Sequence, residues 1–165
     1  MTETETQVLA YLAAHNIPYT RAEHPRVSAI SDCVLCEGLL GAVMPRNLFL
    51  CPRTKNAYCL LIARADAPFR TSSVSKQAGT SRLSFASDEE IAELLHTFPG
   101  AVSPLGLIFD TEHKVKLLID AQLLSEEFLL FHPLENTASV KIKTSDLLTV
   151  FLPSCGHEYQ VVTLE

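Results

Sequence analysis

Asn47-Leu-Phe-Leu-Cys51 and Ala57-Tyr-Cys-Leu-Leu-Ile-Ala63, separated by Pro52-Arg-Thr-Lys-Asn56, decide the fold class of this 165-residue chain. Two apolar runs of strand length flank a polar turn rich in chain breakers, which is a β-hairpin pattern. Helical stripes lie on both sides of it. Thr4 to His15 carries Val8, Leu9, Leu12 and Ala13 at helical spacing and stops at Asn16-Ile17-Pro18. Tyr19 to His24 reads as extended. Ser28 to Leu40 reads as a second helix, with Ile30, Val34 and Leu35 on one side and Gly41 after its end. Beyond the hairpin, Ser72 to Ala78 reads as a short helix. Ser87-Asp-Glu-Glu90 is a capping-box pattern that opens a helix through Ile91, Leu94 and Leu95.

After a loop over residues 97–106 come apolar segments at Leu107–Phe109, Val115–Ile119, Phe128–Phe131 and Ala138–Ile142. Thr144 or Ser145 is placed to cap a helix through Leu147, Leu148 and Phe151, and Tyr159–Thr163 is a last candidate strand. Interspersed strands and helices, with several strand pairs on short turns, predict an α+β or α/β class with a mixed sheet and flanking helices. No repeat or linker divides the chain, so residues 1–165 are expected to form one domain.

Composition narrows the function classes. Hydrophobic residues make up 47% of the chain, enough for a real core, and no stretch approaches the ~20 apolar residues that span a bilayer. The acidic start, Met1-Thr-Glu-Thr-Glu5, lacks the pattern of a secretory signal, so a cytoplasmic location is expected. Five cysteines fit reduced thiols better than a disulfide scaffold. Cys33-x-x-Cys36 alone does not make a zinc site, which needs about four ligands. Net charge is −6, unevenly distributed: residues 1–40 carry −3, residues 41–82 carry +6 and residues 83–165 carry −9. A local positive zone on an acidic protein can still attract phosphates.

Three segments can carry chemistry. In Gly100-Ala101-Val102-Ser103-Pro104-Leu105-Gly106, two glycines and a proline fix an unusual backbone path that can aim successive N–H groups at an oxygen. A tight structural turn accounts for the same pattern. In Phe131-His132-Pro133-Leu-Glu-Asn136, His132 can act near neutral pH and Asn136 offers both donor and acceptor. In Pro45-Arg46-Asn47, a cation stands at the mouth of a strand, where it can meet a phosphate.

These segments, together with Arg82-Leu-Ser-Phe-Ala86 and Asp110-Thr-Glu-His-Lys-Val115, stand in the order found in the YbaK family of prolyl-tRNA editing proteins, and the chain resembles its free-standing ProX-like branch over roughly residues 5 to 160. The resemblance implies a single domain with a mixed, largely antiparallel, barrel-like sheet core and surrounding helices. It implies an aminoacyl-tRNA deacylase that hydrolyses the ester of mischarged tRNA(Pro), usually carrying alanine, without metal or cofactor. The partners implied are the acceptor end of that tRNA and prolyl-tRNA synthetase.

The resemblance also implies a site. Gly100 to Pro104 would lie against the ester, with Ser103 in that loop and Gly106 beyond. Arg46 would meet the terminal adenosine's phosphate or ribose. Asn47, Ala101, Val102, Leu105, Gly106 and Asn136 would contact substrate, and His132 would shape the pocket or orient water. Val43 and Leu105 are candidates for limiting acyl size. In that family a lysine usually precedes Asn-Leu-Phe-Leu; here Arg46 takes its place, with Pro45 before it. Phe109 stands where relatives often have a polar residue. A binding homologue without catalysis, and a small-molecule hydrolase on the same scaffold, are the rival readings.

Overall fold

The computed structural model describes the backbone of residues 1–26 and 30–165, and the side chains of residues 1–26 and 34–165. The elements run α1 (Glu3–Ala14), β1 (Thr20–Glu23), α2 (Ile30–Leu40), β2 (Arg46–Pro52), β3 (Tyr58–Ala63), α3 (Thr71–Ala78), β4 (Leu83–Phe85), α4 (Asp88–Leu95), β5 (Val115–Asp120), β6 (Phe128–Phe131), β7 (Ala138–Lys143) and β8 (Tyr159–Val162). One sheet has five strands in the order β4-β2-β3-β5-β8; the other has three in the order β1-β7-β6.

The hairpin forms as its sequence predicts, with Arg46 opposite Ala63 and Leu50 opposite Cys59. β3 is buried along all six residues, which explains its unbroken apolar run: both its faces are covered. It pairs in parallel with β5, and β5 in parallel with β8. Parallel pairing needs a long crossover, and α3, β4 and α4 fill the first one. The small sheet is antiparallel throughout. A parallel bridge from Val43, just before β2, to Leu129 of β6 links the sheets, with the Leu130 N–H donating to the Val43 carbonyl at 2.9 Å.

Strand alternation splits the large sheet's side chains between two cores. Phe49, Cys51, Leu60, Ile62, Leu117 and Ile119 meet α1 and α4 in the main core. Leu50, Cys59, Leu61 and Leu118 meet Val74 and Ala78 of α3 in the second. Each fully buried leucine or isoleucine contributes on the order of 2 kcal/mol.

The helix ends follow their sequence signals. The Thr2 hydroxyl accepts from the Glu5 N–H at 3.1 Å at the start of α1. Ser87 and Glu90 form the complete capping box of α4. Gly41, at φ +69°, closes α2 with its N–H on the Glu37 carbonyl.

Three local expectations differ. Leu107–Phe109 lies within a 3-10 helix, Pro104–Phe109, because Pro104 starts the turn and Ser103 caps it. Val34 and Leu35 are exposed; Cys36 and Leu40, four residues apart, form the buried stripe of α2. Ile30 and Cys33, which complete the sequence reading of this helix, have side chains outside the described residues. The last helical segment comprises Thr144–Asp146, a π-helical turn Leu147–Phe151, and Leu152–Ser154. Its cap position is Lys143, which supplies no side-chain bond, and the Thr144 hydroxyl is buried without a partner among the described residues.

Asp110 anchors the start of β5. Its carboxylate accepts from the N–H groups of Lys114 and Val115 and from Nε2 of His157 at 2.9 Å. No helix of the described residues is long and apolar enough to cross a membrane.

Candidate functional site

Two loops meet behind the main core. The first starts at Thr97, whose hydroxyl lies 3.3 Å from the Ala101 carbonyl and 3.2 Å from the Leu134 carbonyl. One hydroxyl hydrogen thus serves both loops. Gly100 takes φ +97°, a backbone conformation that side chains rarely adopt. A Cβ there would stand 3.8 Å from Nδ2 of Asn136, so the glycine faces that amide. Leu134 sits at φ +63°, and a left-handed backbone at a branched residue persists only where its surroundings hold it. Here the Thr97 hydroxyl grips its carbonyl.

The rest of the first loop, residues 101–106, is buried, Ala101 and Val102 included. Ser103 is fully buried, and its hydroxyl accepts from the Leu105 N–H at 3.1 Å. The Leu105 side chain is fully buried in the main core. Gly106 lies against α4, where an added Cβ would come within 2.7 Å of the Leu95 carbonyl oxygen. Pro104, also buried, opens the 3-10 helix. Ser103, Leu105 and Gly106 therefore shape the loop from behind, and Gly100 is presented in front.

The second loop carries His132. Its Nδ1–H donates to the Ala138 carbonyl at 2.9 Å, because a carbonyl can only accept. Ser139 Oγ is 3.5 Å from the same nitrogen. Burial, assisted by His24, pushes the His132 pKa below the ordinary histidine value. The ring is thus neutral at pH 7, with its Nε2 lone pair making no hydrogen bond among the described residues. His24 extends the arrangement: its Nδ1–H donates to the Pro25 carbonyl at 2.8 Å, leaving Nε2 to accept from the Ser139 hydroxyl at 2.8 Å. The two imidazole centroids are 6.0 Å apart. A polar cleft of about 460 Å³ borders this hub, with His24, Glu135 and Thr137 on its wall.

The third predicted segment divides. Arg46 and Asn47 are successive residues of β2, so their side chains leave opposite faces of the sheet. Asn47 shares the face of Phe49 and Cys51, the main-core side. Its Oδ1 is buried without a partner among the described residues, and its Nδ2 reaches the Pro45 carbonyl only at 3.4 Å. Arg46 shares the face of Leu48 and Leu50, and its Nη2 donates to the Ala67 carbonyl at 3.0 Å, while its buried Nε has no partner among the described residues. Val43, half-buried, packs against the main core.

The structure thus brings Gly100 and Asn136 together, with His132 on the same loop as Asn136, and turns Arg46 to the other side of the sheet from Asn47. Thr97, His24 and Ser139 complete the arrangement and carry no local signal in the sequence. His24 and Ser139 are 115 positions apart, and only the pairing of β1 with β7 places them together.

Residues 24–150 match the model of the aminoacyl-tRNA editing domain. The chain is 26% identical over 162 residues to the prolyl-tRNA editing protein ProX of Acetoanaerobium sticklandii, covering 98% of both chains. It is 30% identical over 151 residues to prolyl-tRNA synthetase associated domain-containing protein 1 of Bos taurus, covering 89% of this chain and 87% of that one. Among solved structures, a crystal structure described as that of a proposed trans-editing enzyme for prolyl tRNA synthetase superposes with a TM-score of 0.75 at 18% identity, covering 100% of this chain and 98% of that one.

Proposed function

Because the chain belongs to the aminoacyl-tRNA editing domain family, we propose that it is a trans-editing deacylase that removes a wrongly attached amino acid, alanine foremost, from tRNA(Pro). A synthetase cannot reject a smaller amino acid by binding alone, since a missing methylene is worth only about 1–3 kcal/mol. A second site that admits the smaller acyl group supplies the missing discrimination.

The observation that carries the reading is the meeting of Gly100 with Asn136, locked by the shared Thr97 hydroxyl. A glycine held at positive φ lets the backbone approach an ester closely and aim N–H groups at the carbonyl oxygen. Water attacks the carbonyl carbon; the bond from carbon to the ribose oxygen breaks; that oxygen takes a proton, leaving a free amino acid and a tRNA with its hydroxyl restored. His132, neutral with Nε2 as acceptor, is the group in this loop suited to take the water's proton. The unsatisfied Asn47 Oδ1 suits a substrate N–H or ribose O–H. Arg46, a half-buried cation, offers its guanidinium to a phosphate oxygen.

The placement of Arg46 favours one rival reading, a homologue that binds charged tRNA without hydrolysing it, since its guanidinium is tied to Ala67. Deacylation of alanyl-tRNA(Pro), with prolyl-tRNA(Pro) as control and Arg46→Lys and Arg46→Ala alongside, separates the two. Selective release of alanine by the natural chain supports editing. Hydrolysis only by Arg46→Lys identifies the binding homologue. No hydrolysis by any variant across a panel of mischarged tRNAs refutes the enzyme.

A further inference from the structure

The positive block of the sequence is not absorbed by the site above. Arg70, Lys76 and Arg82 are all exposed, and none forms an ion pair among the described residues. α3 and the start of β4 bring them to one side of the large sheet. Lys76 and Arg82 line a groove of about 560 Å³ whose other walls are hydroxyl side chains, among them Ser72 and Thr80. Cationic and hydroxyl donors of this kind suit phosphate oxygens.

Beside them stands an aromatic pair. Phe85 is 63% exposed on the edge strand β4, and its ring centroid is 5.8 Å from that of Phe69. Phe69 is half-buried on the second core and anchors the pair from beneath. Phe85 faces Leu50 across the ladder, on the same side of β2 as Arg46. The acidic first turn of α4, Asp88 to Glu90, belongs to a helix that packs Ile91 and Leu95 into the main core. The exposed Phe85 ring, backed by Phe69, presents a π-face on which a base can stack. Flanked by unpaired cations, it matches the stacking platform and electrostatic track of single-strand binders.

We propose that this α3–β4 face binds an unpaired RNA strand, with Phe85 stacking on a base and Arg70, Lys76 and Arg82 following the phosphates. The inference rests on the tRNA reading, which makes that strand the acceptor end leading to the charged nucleotide. β2 links the two regions, since Asn47 faces the catalytic side and Arg46 the RNA side. The strand passes over the β4 edge of the sheet, and its last nucleotide turns toward Gly100.

The test measures anisotropy of labelled uncharged tRNA(Pro) and of a single-stranded RNA copy of its acceptor end, over a salt series. Phe85→Ala should raise Kd roughly five-fold or more, and Phe85→Trp should restore binding. The double change Arg70→Ala with Arg82→Ala should flatten the log–log salt slope by roughly 1.4, two single-strand phosphates' worth. Hydrolysis of a short alanyl ester of adenosine, which reaches the catalytic loop without this face, is followed in parallel and should be unchanged in all three variants. Binding within about two-fold of the natural chain at unchanged slope overturns the proposal and leaves the face to a protein partner. Loss of short-ester hydrolysis together with RNA binding also overturns it, since the variants would then act through the fold. If the natural chain hydrolyses no ester, the editing reading fails, while the RNA measurements still decide this one.

Discussion

Replacing Gly106 with alanine should damage the molecule far more than its one added methyl suggests. Gly106 has an ordinary negative φ, so the cost is steric. The new Cβ would lie 2.7 Å from the Leu95 carbonyl oxygen, 3.0 Å from Leu95 Cβ and 3.3 Å from Leu95 Cα. Two of these atoms are the backbone of α4 and cannot rotate away, so helix and 3-10 turn must separate. Overpacking of this kind costs about 1–3 kcal/mol. For a domain of this size that lowers Tm by roughly 3–10 °C. Gly38 supplies the control. It lies within α2, exposed, with nothing within 4 Å of its would-be Cβ. Alanine there should stabilise by about 0.5–1 kcal/mol through lost backbone freedom in the unfolded chain. Thermal and urea unfolding, followed by circular dichroism, read both changes. A Gly106→Ala protein that melts with the natural chain would refute the steric argument.

Two further outcomes follow from single hydrogen bonds. Glu90 is held down to about 2, first by the Lys55 ammonium and then by the Tyr58 hydroxyl, which donates to Oε2 at 2.5 Å. A depressed carboxyl contributes stability above its unfolded pKa and loses it as pH falls toward the folded one, so Tyr58→Phe should flatten the fall in stability between about pH 4.5 and 2; coincident pH profiles would remove the hydroxyl from this account. Ser103→Ala deletes a cap and should cost about 1 kcal/mol, yet leave deacylation within a few-fold below the melting range; complete loss of hydrolysis in a folded variant would make the hydroxyl catalytic instead.

What the sequence disclosed was local. The β3 run, the Pro52–Asn56 turn and the Ser87–Glu90 capping box each fit inside one window of side-chain periodicity, and each formed. Leu107–Phe109 misled because three apolar residues do not distinguish a strand from a tight helical turn; Ser103-Pro104 just upstream held the better signal. The loops at Gly100 and Asn136 could be singled out as segments, and their meeting depends on the Thr97 hydroxyl, which no local pattern marks. The divergence of Arg46 and Asn47 was implicit in the strand assignment, since neighbours on a strand face apart. His24 and Ser139 were out of reach because β1 and β7 are joined only through the tertiary fold.

That last pairing has a consequence for the order in which the protein is built. Thr20 to Glu23 find their partners at Ala138 to Lys141, near the opposite end of the chain. At about 5–20 residues per second, a ribosome delivers β7 several seconds or more after β1. Throughout that interval β1 has no ladder, and the His24 ring has no Ser139 to hold it. The histidine hub is therefore assembled late, and a nascent chain truncated before Ala138 would carry the Gly100 loop but lack Ser139 and β7.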